Sequence, residues 1–400
     1  MSLIFAPHKQ KKLQVKTFLD RFNLMANTTI GIFGGGQLGR MMAQAALPLN
    51  IQCTFLEAST DCPSAILGQV ISSQEENGLE KFIQSADVFS LEFENTPLTA
   101  VDQLIQSKQI YPPRQALAIA QNRLLEKSLF DELDIPVAPY RAVDSLESLQ
   151  QAVSDLGFPI VLKTATGGYD GKGQFVLKNE AQIGEAWDEL GTAKSLIAES
   201  FVQFNREVSI IAVRGQDGEV RTWDLAENHH HHGILSHSIV PAPNSLHLQP
   251  IAEDYITRLL NHLDYVGVLT LELFVTEQGM FANEMAPRVH NSGHWSIEGS
   301  VCSQFENHIR AVAGLPLGST KTIRPTVMVN IISQHPNSAL ILALDSAHLH
   351  LYDKSEREGR KLGHITLTPN SSDELTALCR KLSVILPEPL ALDATMQIQF

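Results

Sequence analysis

The run TTIGIFGGGQLGRMMAQAALPLNIQCTFLEAS, from Thr28 to Ser59, restricts the fold more than any other part of the chain. Ile30–Phe33 is β-branched and aromatic, Gln37–Leu47 is rich in helix formers, and Ile51–Leu56 is apolar again. That pattern predicts a strand, a tight turn, a helix and a second strand. A further apolar stretch, ADVFSLEFEN, ends in Glu92, Glu94 and Asn95. Strands joined through helices run parallel, so the expected unit is a doubly wound α/β layer with ligands gathered at the strand ends.

The turn holds Gly34, Gly36 and Gly39 in a GxGxxG arrangement, and Glu57 ends the next strand. Two readings fit. In one the glycines are a dinucleotide fingerprint and Glu57 binds a ribose hydroxyl, which would suit a dehydrogenase. In the other they permit a tight turn and leave an anion site at the helix N-terminus. The turn alone does not separate them.

At 400 residues the chain exceeds what one hydrophobic core serves, so two or three domains are expected. From about Pro112 the pattern changes. The charged helix QNRLLEKSLFDEL precedes FPIVLKTATGGYDGKGQFVLKN, which reads as two strands around a Gly-rich loop. SLIAESFV, REVSIIAVRG, GVLTLELFV and GMFANEMA follow as closely spaced, mostly antiparallel strands of an α+β unit. After Pro316, PTVMVNII, LHLYDK and GHITLT suggest a small third domain of strands.

The net charge of −14 excludes a general nucleic-acid-binding surface, which needs clustered Lys and Arg. An anionic ligand must therefore meet a local basic pocket, and YDKSEREGRKLGH offers one with Lys354, Arg357, Arg360 and Lys361. Its alternative is a solvated basic turn. Cys53, Cys62, Cys302 and Cys379 show neither zinc spacing nor a CxxC pair, which suits a reducing cytoplasm. No run approaches the roughly 18 apolar residues that span a bilayer. Residues 1–27 lack the continuous apolar stretch of a secretory signal and read as an extension without an assigned role; Met25 is an alternative start.

Two further segments carry chemistry. In TATGGYDGKGQ, glycines let backbone N–H groups approach a polyphosphate while Lys163 and Lys172 supply charge; a mobile hairpin loop is the plainer alternative. In LTLELFVTEQGMFANEMAPRVHNSGHW, a three-residue loop Glu277-Gln278-Gly279 would pair Thr276 with Met280 and set Glu272 opposite Glu284. Facing carboxylates repel, and a hard cation such as Mg²⁺, with Mn²⁺ as a substitute, removes the conflict. A shift of register would instead turn one glutamate to solvent. Nearby Asn283, Arg288 and Asn291 suit phosphoryl oxygens. The run AENHHHHGIL cannot direct four side chains at one metal from a strand, because alternate side chains face opposite ways.

Together GGGQLGRM, FENTP, KTATGGYDGKGQ, the paired glutamates and NEMAPRVHNSGHW resemble the N5-carboxyaminoimidazole ribonucleotide synthetase family of the ATP-grasp superfamily, from about Thr29 to past Gly363. The resemblance implies a Rossmann-like domain that binds no dinucleotide (28–112), an ATP-grasp domain (113–317) and a C-terminal substrate-capping domain (318–400). It implies ATP contacts from Arg114, Lys163, Gly168, Tyr169, Asp170, Gly171, Lys172, Gly173, Gln174, Glu199, Ser200, Phe201, Val202, Glu207, His230, Asn283 and Glu284. Among the histidines it selects His230 and leaves His229, His231 and His232 as polar edge positions. Metal ligation falls on Glu272 and Glu284, and chemistry on Arg288, Asn291, Tyr169 and Asp170. The ribonucleotide would meet Gln37, Glu92, Lys354, Arg360 and Lys361. The implied reaction carboxylates 5-aminoimidazole ribonucleotide with bicarbonate and ATP, in a homodimer that passes its product to a mutase.

Overall fold

The computed structural model describes residues 28–167 and 173–387. Strands β1 (Thr29–Phe33), β2 (Gln52–Glu57), β3 (Gln69–Ser72), β4 (Val88–Leu91) and β5 (Gln109–Ile110) form a parallel sheet in the order β3-β2-β1-β4-β5. Strand β1 is central and buried from Ile30 onward, and the order in which strands are added reverses beside it, β2 and β3 on one side and β4 and β5 on the other. Such a switch point opens a crevice at the carboxyl ends of the strands. Helix α1 (Gln37–Ala46) leaves the Gly-rich turn and buries Leu38, Met41, Met42 and Ala46.

A four-stranded antiparallel sheet follows, with β6 (Tyr140–Val143), β7 (Ile160–Thr164), β8 (Gln174–Leu177) and β9 (Leu196–Ser200) in the order β6-β9-β7-β8. Strands β7 and β8 flank the Gly-rich loop and pair up to Lys163↔Gln174. Gly168, Tyr169, Asp170, Gly171 and Lys172 lie outside the described residues, as do 1–27.

The largest sheet among the described residues contains β10 (Arg206–Arg214), β11 (Val220–Thr222), β12 (Ala226–His231), β13 (Ile234–Val240), β14 (Gly267–Thr276), β15 (Gly279–Ala286), β16 (Thr326–Ile332), β17 (Ala347–Leu351) and β18 (Lys361–Leu367). Its order is β15-β14-β10-β12-β13-β16-β18-β17, with β11 added beside β10. The C-terminal strands thus extend the central sheet instead of building a separate one. The reason is that β13 has an open edge, which β16 takes up through His237↔Val329 to Val240↔Thr326.

The first unit shares its core with the central one. Met41 and Met42 of α1 belong to the same apolar cluster as Phe305, Ile309 and Val312 of the helix Gln304–Val312. Packing of this kind fixes the parallel sheet against the large one, so the strand ends of both face a common cavity. None of the described helices is long and apolar enough to cross a membrane. All four cysteines are free.

Candidate active site

A cavity of about 810 Å³ lies between the carboxyl ends of β1 and β4, one face of the large sheet, and the β17–β18 connection. Its first wall is the Gly-rich turn. Glu92, just after β4, accepts the Gly36 amide at 2.5 Å and the Gly39 amide at 2.6 Å. A Cβ on Gly34 would collide with Glu92 Cγ, one on Gly36 would stand 2.5 Å from Oε1, and one on Gly39 would stand 3.1 Å from Oε2. The glycines therefore make room for Glu92, and the chain's own carboxylate fills the anion site at the helix N-terminus. Glu57 likewise accepts the Gly35 amide at 3.0 Å. The dinucleotide reading of GxGxxG fails here for a physical reason: a pyrophosphate would have to displace Glu92. Burial raises the Glu92 carboxyl above its ordinary value, with the Gly39 and Gly36 amides opposing.

The second wall is the β14–β15 hairpin, and it differs from expectation in detail. The turn has two residues, Glu277 and Gln278, with Thr276 opposite Gly279 and Leu273 opposite Ala282. A β-bulge then adds one residue, and Glu272 comes to face Glu284 after all. Burial first, and then the Glu284 charge, pushes Glu272 up to about 8. His290 Nε2 lies 3.2 Å from Glu272 Oε1, and its Nδ1 accepts the Ser292 amide at 3.3 Å, which sets the ring proton on Nε2. Burial and the Arg288 charge hold His290 well below the ordinary imidazole range, so it acts as a neutral donor.

Paired charges surround these walls. Lys163 meets Glu199 at 2.9 Å; although burial raises Glu199, the nearby Lys127 and Lys163 leave it below its ordinary value. Glu199 Oε1 is buried with no hydrogen-bond partner among the described residues. Arg288 pairs with Glu94, and His230 Nδ1 lies 2.6 Å from Glu207. Asn291 and Asn330 exchange two amide hydrogen bonds, at 3.0 and 2.7 Å. On the third wall Lys354 donates to Gln37, and burial, with Arg360 as the next cause, lowers it to about 8. Arg357, Arg360 and Lys361 line the cavity beside it.

The structure brings Gln37, Glu92, Lys163, Gln174, Glu207, His230, Glu272, Asn283, Glu284, Arg288, Asn291, Lys354, Arg360 and Lys361 to this one cavity. It does not bring Arg114, whose guanidinium is bound to both oxygens of Asp102. Arg123, nine residues on, does line the cavity and donates to the Thr164 carbonyl at 2.9 Å. Gly173, Glu199, Ser200, Phe201 and Val202 are also absent from the lining, Glu199 standing behind Lys163. The Ser200 and Phe201 amides are engaged by the Pro139 and Pro159 carbonyls, and the Phe201 side chain is exposed. His229 is not an edge residue either: β12 is an interior strand, where His229 reaches Glu227 at 3.1 Å and stacks on His237. His231 and His232 are exposed at the turn into β13.

Sequence reasoning missed Glu126, Lys127, His290 and Asn330. Glu126 and Lys127 are 3% and 2% exposed despite lying in a run that reads as a charged helix. Their signal was spacing: 123, 126, 127 and 130 form an i, i+3, i+4, i+7 stripe that ends on the buried Phe130.

The arrangement has known counterparts. Three family models match in chain order: the ribonucleotide synthetase preATP-grasp domain over residues 27–121, the ATP-grasp domain over 128–305, and the phosphoribosylaminoimidazole carboxylase C-terminal domain over 326–378. The N5-carboxyaminoimidazole ribonucleotide synthase of Pseudomonas aeruginosa is 47% identical over 340 residues, 84% of this chain and 94% of the relative. The crystal structure of N5-carboxyaminoimidazole ribonucleotide synthetase from Thermus thermophilus superposes with a TM-score of 0.87 at 44% identity, covering 91% of this chain and 100% of that one. The Aspergillus clavatus enzyme in complex with ADP and 5-aminoimidazole ribonucleotide gives a TM-score of 0.82 at 30% identity, over 90% and 100% of the two chains. Likeness that runs through all three units and nearly the full length of these relatives makes this chain a member of the N5-carboxyaminoimidazole ribonucleotide synthase family.

Proposed function

We propose that this chain is an ATP-grasp ligase that carboxylates 5-aminoimidazole ribonucleotide with bicarbonate at the expense of ATP, through carboxyphosphate. The products are N5-carboxyaminoimidazole ribonucleotide, ADP and phosphate, in purine biosynthesis. The observation that carries this reading is one cavity holding both a facing pair of buried glutamates and a basic cluster. The first suits a metal-bound nucleotide and the second a ribonucleotide phosphate.

In this reading Lys163, already oriented by Glu199, holds phosphate oxygens of ATP. His230, Glu207, Gln174 and Asn283 complete the nucleotide pocket. Glu272 and Glu284 supply the hard oxygen donors that Mg²⁺ takes, with Mn²⁺ as its substitute. The ion would neutralise phosphate charge in the transfer. Arg288, fixed by Glu94, places a permanent cation beside the transferring group and the carboxyphosphate. Asn291, held by Asn330, orients bicarbonate.

Lys354, Arg360 and Lys361 bind the ribonucleotide phosphate, and Gln37 stays with Lys354. Glu92 has used one lone pair on each oxygen for the Gly36 and Gly39 amides, so it retains acceptor capacity for the exocyclic amine of the aminoimidazole. Domain limits at 112/113 and 317/318, a cytoplasmic homodimer and delivery of the product to a mutase belong to the same proposal. Mass spectrometry of the product made with labelled bicarbonate tests it, with label expected on the exocyclic nitrogen. Equal ADP release with formate and glycinamide ribonucleotide would instead favour a formate-dependent transformylase of the same superfamily.

A further inference from the structure

The facing of Glu272 and Glu284 depends on one inserted residue. From the turn outward β14 and β15 pair in an unbroken ladder as far as Leu273↔Ala282, and the next pair is Glu272↔Glu284, with Asn283 left over. Were the ladder to continue without the bulge, Asn283 would face Glu272 and Glu284 would face Leu271. Side chains alternate along a strand, so that register would put the two carboxylates on opposite faces of the sheet. The bulge therefore decides whether a cation can meet both.

β15 is the edge strand of its sheet and the bulge interrupts its one ladder, so its outward backbone groups need other partners inside the protein. The Pro136 carbonyl takes the Ala282 amide at 2.7 Å, and the groups around Glu284 are met by two adjacent side chains of the helix Arg123–Glu132. Lys127 Nζ donates to the carbonyls of Ala282 at 3.2 Å and Asn283 at 2.9 Å, and Glu126 Oε1 accepts the Met285 amide at 2.7 Å. The three backbone groups bracket Glu284 on both sides. An ammonium carries three donors and can span two carbonyls, while a carboxyl oxygen serves one amide. Apolar side chains at 126 and 127 would leave all three groups buried and unpaired. That accounts for two ionisable residues on the buried stripe of a helix whose next buried positions are Leu129 and Phe130.

We infer that Glu126 and Lys127 are positioning residues: a clamp that holds the β15 bulge and thereby sets the register of the metal-binding carboxylates. The inference rests on the reading of Glu272 and Glu284 as metal ligands, so its test must separate the two. The probe is Mn²⁺ titrated in the presence of ADP, with free Mn²⁺ read by electron paramagnetic resonance, alongside hydrogen–deuterium exchange of a peptide spanning 279–288.

Lys127→Met and Glu126→Leu are expected to weaken Mn²⁺ binding about 10- to 100-fold, the range seen when groups behind metal ligands are removed. Both should speed exchange in 279–288 and leave KM for 5-aminoimidazole ribonucleotide within about twofold, because the ribonucleotide wall is built elsewhere. Glu126→Gln keeps the acceptor for Met285 and should restore Mn²⁺ affinity to within about threefold of wild type. If either single variant fails to fold, Glu126→Leu/Lys127→Met removes both charges together, avoids a lone buried ion, and is read the same way. Unchanged Mn²⁺ affinity in the clamp variants, with affinity lost in Glu284→Gln, overturns the clamp and keeps the metal site. Unchanged affinity in Glu284→Gln overturns the metal reading, and exchange in 279–288 then decides the clamp alone: faster exchange keeps it, unchanged exchange ends it.

Discussion

Glu92 and the Glu272–Glu284 pair line the same cavity, yet the fold treats their carboxylates in opposite ways. Glu92 is provided for by the chain, with two amides and the positive end of a helix directed at it. Glu272 and Glu284 are set against each other across a hairpin, and the neutral His290 relieves only one oxygen of Glu272. A carboxylate whose needs are met inside the protein closes an anion site. A pair left in mutual repulsion opens a cation site. Two motifs of the sequence thus separate: the one that looks like a nucleotide fingerprint is internally occupied, and the hairpin with facing glutamates carries the ionic demand.

Four experiments can break or sharpen this contrast. The largest effect is expected for Glu284→Gln, where ADP release should fall by about 10³-fold or more, the several kcal/mol that a clamped ion contributes. Its melting temperature should be unchanged or higher, since like charges no longer meet across the hairpin; full turnover would remove the basis for the metal pair. Glu92→Ala should act on stability as well as on substrate binding, costing about 2–4 kcal/mol in urea unfolding as the Gly36 and Gly39 amides lose a charged acceptor. The same variant should gain an anion site, so inorganic phosphate should raise its melting temperature more than that of wild type. Equal shifts would show that Glu92 was not filling the site.

The third expectation concerns pH. Burial, followed by the Arg360 charge, lowers Lys354 to about 8, so it is a cation below that pH and neutral above it. KM for the ribonucleotide should therefore rise as pH passes through 8, by about threefold to tenfold, and Lys354→Arg should flatten the profile because guanidinium does not titrate there. An unaltered profile in Lys354→Arg would place the titrating group elsewhere. The smallest effect is expected for His230→Ala, which should raise KM for ATP by about fivefold, the worth of one hydrogen bond, and change kcat little.

The sequence carried the parallel first layer plainly, because a strand, a Gly-rich turn and an amphipathic helix each leave a local pattern. It carried the Glu272–Glu284 pairing through two offsetting errors: the turn is one residue shorter than the Gly279 rule suggests, and the bulge restores the count. Bulges are settled by tertiary partners, here Glu126 and Lys127, about 155 residues away in sequence, so no local signal announces them. Arg114 was the wrong arginine for a similar reason. Both it and Arg123 stand at the first turn of a helix, and only packing decides which one meets Asp102 and which one meets the cavity. The C-terminal strands were recognisable as strands, but the open edge of β13 that recruits β16 is a property of the assembled sheet.

That recruitment has a consequence for synthesis on the ribosome. Ile234–Val240 must wait for Thr326–Ile332, some 85 residues later, before its outer edge is covered. At about 5–20 residues per second this is roughly 4 to 17 s in which an apolar strand edge is open in the nascent chain. During that interval the emerging enzyme is a natural client for chaperones, and mutations that slow the arrival of β16 will lower its yield before they touch its chemistry.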